Sequence, residues 1–214
     1  PNQRLRMTGE VVVIGGGTAG MAAASQLALE GLAVTLVEKD KHVGGNIYNW
    51  YKLFPDRRDG SEVLEYLGRG IDEGNIRLIL NSEVTLISQK GKSIEVNTGG
   101  GERIAADAVV VATGFDLFDS SRKEEYGYGI YENVITSADL EKMFRSGEIR
   151  LHDGTVPASI GMIHCVGSRD EKVGNVYCSK LCCVTAVKQA IEIREHLPEC
   201  RVVCFYMDMR MGGA

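Results

Sequence analysis

The apolar run at residues 11–14, Val-Val-Val-Ile, passes without interruption into Gly15-Gly-Gly17-Thr18-Ala19-Gly20. A continuous β-branched run is what a parallel strand buried on both faces requires. A G-x-G-x-x-G turn straight after such a strand points to a strand–turn–helix unit. Residues 21–30 predict the helix, alanine-rich, with Ala24 and Leu27 on one side and Gly31 at its stop. Residues 33–37 predict a second strand that delivers Glu38, eighteen positions beyond Gly20. Each part has a task in holding a dinucleotide: Gly15 permits the tight turn, Gly17 lets the backbone approach a pyrophosphate, and Gly20 lets the helix lie close to the strand. The free N–H groups of the first helical turn, around Thr18 and Ala19, favour phosphate. Glu38 accepts hydrogen bonds from ribose hydroxyls and repels a 2′-phosphate. The plain alternative is a glycine-rich turn in an α/β protein that binds no nucleotide.

Further on, residues 61–73 predict a helix with Val63, Leu64, Leu67 and Ile71 on one face. Residues 76–80, 84–88 and 93–97 predict strands, with Gly99-Gly-Gly101 as a turn, and a strand at 107–111 ends in Ala112-Thr113-Gly114. Residues 116–157 become polar and carry Tyr126, Tyr128 and Tyr131 in no regular period. They predict a connector with one short helix at 137–144, capped by Ser137, with Asp139 and Glu141 favouring its positive end. A second βαβ pattern follows: strand 160–166, helix 179–196, strand 201–206. The 214 residues are 44% hydrophobic with a net charge of −5, enough for a real core, and the scattered basic residues argue against nucleic acid. No apolar run approaches the ~20 residues of a membrane span. The start at Pro1 and the stop at Met211-Gly-Gly-Ala, just after a strand, suggest a fragment of a longer protein.

Gly44-Gly45-Asn46 soon after Glu38, and the later Ala112-Thr113-Gly114, resemble the two-dinucleotide-binding flavoproteins of the glutathione and thioredoxin reductase type. The resemblance covers residues 10–115 and implies FAD as the dinucleotide. It places the glycine doublet beside the FAD and makes the A-T-G turn the exit from the flavin domain. By the same likeness Lys39, Asn46 and Val84 line the FAD, Val84 through its backbone. Four aromatics between Tyr48 and Phe54 either flank a flavin ring or pack in a core or interface.

Four of the six cysteines fall between Cys165 and Cys183, spaced Cys165-x12-Cys178-x3-Cys182-Cys183. They stand where the second βαβ unit would carry its glycine loop, at a strand-to-helix turn, which makes NAD(P)H binding there doubtful. Thiolates bunched this tightly are a ligand set for a soft metal centre, and six cysteines so distributed fit a reducing compartment better than a secreted disulfide framework. With Cys178, Cys182 and Cys183 at i, i+4 and i+5 of a helix and Cys165 arriving from the strand, a four-cornered cluster suits them better than one tetrahedral zinc. Structural zinc, a redox disulfide and inert buried thiols are the alternatives. Cys200 and Cys204 lie outside the set, Cys204 as core, and His164 is packing on the far side of the strand from Cys165.

The stretches CVGSRD, YCSKLCC, VKQA and FYMDMR closely resemble the A-type subunits of heterodisulfide reductase and their relatives in anaerobes. The resemblance implies an α/β fold: a Rossmann-like FAD-binding domain of the two-dinucleotide-binding type, followed by part of a second βαβ domain. The corresponding boundaries are 1–117 for the FAD-binding domain, 118–157 for a connector and 158–214 for the cysteine-bearing domain. It implies a [4Fe-4S] cluster on Cys165, Cys178, Cys182 and Cys183. It also implies an oxidoreductase role: an electron-transferring flavoprotein subunit passing electrons between FAD and the cluster to other redox subunits of a complex, while the cysteine usage and composition point to the cytoplasm. Lys188 is either a cation near the flavin or a solvent-exposed helix lysine. The rival functions are an NAD(P)H-dependent flavin disulfide reductase and a non-catalytic zinc scaffold.

Overall fold

The computed structural model describes residues 9–74 and 76–211. The chain divides into two units, one made of Pro1–Tyr48 and Gly60–Phe115, the other of Asn49–Asp59 and Asp116–Ala214. In chain order the elements are β1 (Glu10–Ile14), α1 (Thr18–Leu29), β2 (Ala33–Val37), β3 (Lys52–Leu53), β4 (Arg58–Asp59), α2 (Gly60–Glu73) and β5 (Arg77–Ile79). They continue with β6 (Val84–Lys90), β7 (Ser93–Thr98), β8 (Arg103–Ala106), β9 (Ala108–Val111), α3 (Ser137–Ser146), β10 (Ser159–Ile163), α4 (Cys182–His196) and β11 (Arg201–Phe205).

The first unit has a parallel sheet in the order β5-β2-β1-β9 and an antiparallel meander β6-β7-β8. β1 is central, registering Val12 against Thr35 of β2 and Val109 of β9. Its alternating residues go to opposite faces, as a pleated strand dictates. Val11 and Val13 join Met21, Ala24, Leu36 and Ile71 on the helical side. Val12 and Ile14 join Val96, Ile104 and Ala106 on the meander side. Burying each such side chain contributes about 1.5–3 kcal/mol, which is why an unbroken apolar run is needed here. The strand is covered on both sides and leads straight into the glycine turn.

In the second unit β10 and β11 pair in parallel, Ile160 against Val202. Leu140 and Phe144 of α3 pack with Met162, Ala186, Ile193 and Cys200. α3 is capped by Thr136, not by Ser137 as its sequence suggests. The Thr136 hydroxyl accepts from the Asp139 N–H while the Asp139 carboxylate accepts from the Thr136 N–H, a complete capping box. β10 ends at Ile163, earlier than the expected 166. α4 begins at Cys182, three residues later than expected, because Lys180 takes a left-handed backbone angle of +60° that no helix accommodates.

α4 carries three buried polar residues, Lys188, Gln189 and Glu192. This corrects the reading of Lys188 as an exposed helix lysine: it is 5% exposed and ion-paired with Glu141 of α3. Its ammonium also donates to the Lys52 carbonyl at 3.0 Å. Glu141 further accepts from Gln189 Nε2 at 2.7 Å and from the Tyr51 N–H at 3.0 Å. Arg57 reaches Glu192 at 2.8 Å and also pairs with Glu195. The Tyr51 ring lies 6.0 Å from Phe144 and 5.9 Å from His196. These contacts tie the segment 49–59 to the second unit, so Tyr51 serves packing there. Removing one partner of a buried pair leaves the other charge uncompensated. Lys188→Met is therefore expected to lower the unfolding free energy by roughly 3–5 kcal/mol, and adding Glu141→Gln to recover part of it. Denaturant titration checks this; a single variant as stable as the parent contradicts it.

Candidate cofactor and metal sites

In the first unit the candidate site forms where β1 gives way to α1. Gly15 has φ +102°, and a Cβ there would lie 2.4 Å from the Ala112 carbonyl oxygen. Its N–H donates to the Val37 carbonyl at 2.8 Å, and the Ala112 N–H donates to the Ile14 carbonyl at 2.8 Å. These bonds stitch the three strand ends together. A Cβ on Gly20 would come within 1.8 Å of the Gly15 oxygen, so only glycine fits there. Gly17 behaves differently. It is the N-cap of α1, no side chain caps the helix, and a Cβ on it would meet nothing within 4 Å. The first-turn N–H groups, which include those of Thr18 and Ala19, have no partner within a helix by construction.

Glu38, 5% exposed, accepts from the backbone N–H of Gly16 and, at 2.8 Å, from that of Asp40. An ionised carboxylate has about four acceptor sites, so capacity remains for a hydroxyl. The Gly44 N–H donates to the Gly16 carbonyl at 2.7 Å, and a Cβ on Gly45 would lie 3.1 Å from the Gly17 Cα. Asn46 Nδ2 donates to the Phe115 carbonyl at 3.2 Å, just past Ala112-Thr113-Gly114. The Ser82 N–H donates to the Glu38 carbonyl at 3.0 Å, which brings the turn before Val84 beside Glu38. Lys39 and Thr113 are exposed. Sequence reasoning missed Gly16, Asp40 and Ser82. They act through backbone groups, and their residue types carry no signal of that. An open glycine cradle at an uncapped helix start, beside a buried carboxylate, fits a dinucleotide pyrophosphate and ribose.

In the second unit the chain leaves β10 at Ile163 and reaches α4 through an eighteen-residue loop, 164–181. The loop doubles back on itself. The Arg169 N–H donates to the Tyr177 carbonyl at 3.0 Å, Asp170 and Asn175 bridge, and Asn175 Nδ2 donates to the Gly167 carbonyl at 2.9 Å. Lys123, 4% exposed, pins it by pairing with Asp170 at 2.6 Å. Cys165, Arg169 and Lys180 all have left-handed backbone angles, +60°, +56° and +60°. Such angles at non-glycine residues cost of order 1–3 kcal/mol each and gather at functional segments.

This loop brings Cys165 and Cys182 together, their sulfurs 3.9 Å apart. Cys183 Sγ accepts the Arg210 N–H at 3.4 Å, and Cys178 Sγ accepts the Lys180 N–H at 3.3 Å. Cys178 therefore lies in the loop and not on α4, which corrects the i, i+4, i+5 helical spacing. Cys182 and Cys183 open α4, whose N-cap Leu181 makes no side-chain cap. Burial, helped by the neighbouring Cys182, pushes the Cys165 thiol up to about 11, with Arg169 pulling the other way. Burial also works to raise Cys182, but the Cys165 backbone N–H and thiol, with Ser179 and Cys183, hold it below its usual value. Among the described residues no three His, Cys, Asp or Glu side chains are gathered tightly enough for a single metal ion. The donor set itself, four thiols with backbone N–H groups on three of the sulfurs, has the soft chemistry an iron–sulfur centre uses.

Cys200 is buried in the core, while Cys204 is partly buried in β11; burial raises both thiols. His164 is 7% exposed, lies beyond the end of β10, and sits 6.0 Å from the Tyr206 ring. Lys188 is committed to Glu141 and the Lys52 carbonyl.

A parallel sheet with this glycine turn at its centre and a meander on its far face is the Rossmann-like FAD-binding α/β fold of flavoprotein oxidoreductases. The profile of the pyridine nucleotide-disulphide oxidoreductase family matches residues 9–141, and the chain belongs to that family of oxidoreductases. Its curated relatives are A-type subunits of heterodisulfide reductases. That of the H(2)/formate:CoB-CoM heterodisulfide,ferredoxin reductase of Methanococcus maripaludis is 42% identical over 138 residues, covering 62% of this chain and 20% of the relative. An A-type iron-sulfur subunit of the CoB--CoM heterodisulfide reductase of Methanopyrus kandleri is 29% identical, covering 100% of this chain and 45% of the relative. The chain thus spans less than half the length of these relatives. Among solved structures, L-proline dehydrogenase from P. horikoshii shares the fold, with TM-score 0.55 at 20% identity over 98% of this chain and 37% of that one. Among the described residues no helix is long and apolar enough to cross a membrane.

Gly17→Ala is expected to leave stability within about 0.5 kcal/mol of the parent, whereas Gly20→Ala is expected to lose several kcal/mol; equal losses in thermal unfolding contradict the contacts described for the two glycines. In the metal-free reduced chain, a limiting alkylating agent at pH 8 is expected to modify Cys182 ahead of Cys165. Peptide mass mapping reads the order, and the reverse order contradicts it.

Proposed function

We propose that this chain is part of an electron-transferring flavoprotein subunit that passes electrons between FAD and a [4Fe-4S] cluster within a heterodisulfide-reductase-like complex. The reading is supported above all by the loop 164–181 and the first turn of α4, which together offer four thiols, Cys165 and Cys178 from the loop and Cys182 and Cys183 from the helix. In this reading Gly15, Gly17, Gly20, Glu38, Gly44, Gly45 and Asn46 bind FAD, with Thr18, Ala19, Lys39, Val84, Ala112, Thr113 and Gly114 beside them. Cys165, Cys178, Cys182 and Cys183 hold the cluster. FAD would supply two-electron chemistry and the cluster one-electron transfer. The chain's own residues would bind, orient and desolvate both. Lys188 has no direct flavin role in this scheme, since its ammonium is engaged by Glu141. The partners would be other redox subunits and the compartment the cytoplasm, where thiols stay reduced.

One observation favours a second reading. The 3.9 Å approach of Cys165 and Cys182 is what a flavin disulfide reductase would need for its redox-active cysteine pair. Anaerobic purification with iron, sulfide, zinc and flavin analysis separates the two. About four irons and four sulfides per chain, with FAD, are expected; one zinc, or no metal and a reducible disulfide, refutes the proposal. Gly17→Ala is expected to weaken FAD retention without unfolding the chain, and undiminished retention contradicts the assignment of the turn.

A further inference from the structure

Two arginines meet at the cysteine loop through one carboxylate. Arg169, at the base of the doubled-back loop, pairs through Nη1 with Asp208. Arg210 donates from Nε to the other oxygen of Asp208 at 2.9 Å. The same short segment touches the thiols directly. The Arg210 backbone N–H donates to Cys183 Sγ, and the Asp208 carbonyl lies 3.9 Å from that sulfur. The Arg169 N–H also closes the loop that carries Cys165 and Cys178, donating to the Tyr177 carbonyl at 3.0 Å. The three charges sum to +1, facing a site that carries four negative thiolates once loaded.

We infer that Arg169 and Arg210, yoked by Asp208, form a cationic clamp that sets the reduction potential of the centre bound by Cys165, Cys178, Cys182 and Cys183. The inference rests on the cluster reading above. Adding an electron to a thiolate-bound centre makes it more negative, so a nearby net cation stabilises the reduced form more than the oxidised one and raises the potential. Asp208 works in both directions: it fixes the two guanidinium groups in place and cancels one of their charges. Neutralising one arginine takes the clamp from +1 to 0, and neutralising Asp208 takes it to +2. The two changes should therefore move the potential in opposite senses. A merely structural role predicts no such sign reversal. These side chains are 23%, 47% and 50% exposed, so the shifts should shrink as ionic strength rises.

The test is an EPR-monitored redox titration of the anaerobically purified, iron-loaded full chain. Arg210→Gln and Arg169→Gln are each expected to lower the ratio of reduced to oxidised centre about tenfold at fixed potential, a shift of about 59 mV toward negative values for a one-electron couple. Asp208→Asn is expected to shift the potential the other way, and Arg210→Lys to stay near the parent. If a glutamine variant sheds its iron, Asp208→Asn decides the matter by its sign. An unchanged potential in Asp208→Asn, or shifts of one sign in all variants, overturns the inference with the cluster intact. Absence of iron in the parent overturns both it and the cluster reading, and iron analysis tells the two failures apart.

Discussion

The structure depends on a parallel strand delivering the chain to the bare N-terminus of a helix, and this happens twice. β1 hands over to α1 through a three-residue glycine turn, and β10 hands over to α4 through the eighteen-residue cysteine loop. Neither α1 nor α4 has a side-chain cap, whereas α3, which adjoins no candidate site, carries a full capping box. Uncapped first-turn N–H groups raise the free energy of a helix unless something else accepts from them. At α1 the open cradle over Gly17 suits a phosphate. At α4 the residues in the uncapped turn are themselves thiols, which suits an anionic centre held by sulfur.

Around each handover the fold supplies rigidity. In the first unit β1 is buried on both faces, and Gly20 lies so close to Gly15 that a single methyl group would force them apart. In the second, Glu141 gathers donors from Lys188, Gln189 and Tyr51, joining α3, α4 and the segment 49–59 through one carboxylate. Buried charge is worth keeping only when it is fully paired, and here the pairing locks α4, the helix on which Cys182 and Cys183 sit. Lys123 does for the loop what Lys188 does for the helix.

The first unit is largely legible in the sequence because its information is local. Strand 33–37 ends where the apolar pattern ends, and G-x-G-x-x-G marks its own turn. The burial of Lys188 is not legible, because its partner lies 47 positions away on another helix and nothing on α4 announces it. Cys178 reads as helical because residues 178–183 contain no glycine or proline, and the backbone reversal at Lys180 leaves no compositional trace. The α3 cap falls one residue before the expected Ser137, although Thr136-x-x-Asp139 spells a capping box. Among the candidate site residues, the flanking glycines announce themselves, while Gly16, Asp40 and Ser82 do not, because they contribute backbone groups.

In the proposed scheme, sulfur from Cys165, Cys178, Cys182 and Cys183 surrounds iron at the second handover. Anomalous diffraction at the iron absorption edge, from crystals grown without oxygen, tests this most directly. One compact iron peak bounded by those four sulfurs is the expected result. A peak at the zinc edge alone, or continuous density joining Cys165 to Cys182 with no metal, would contradict it.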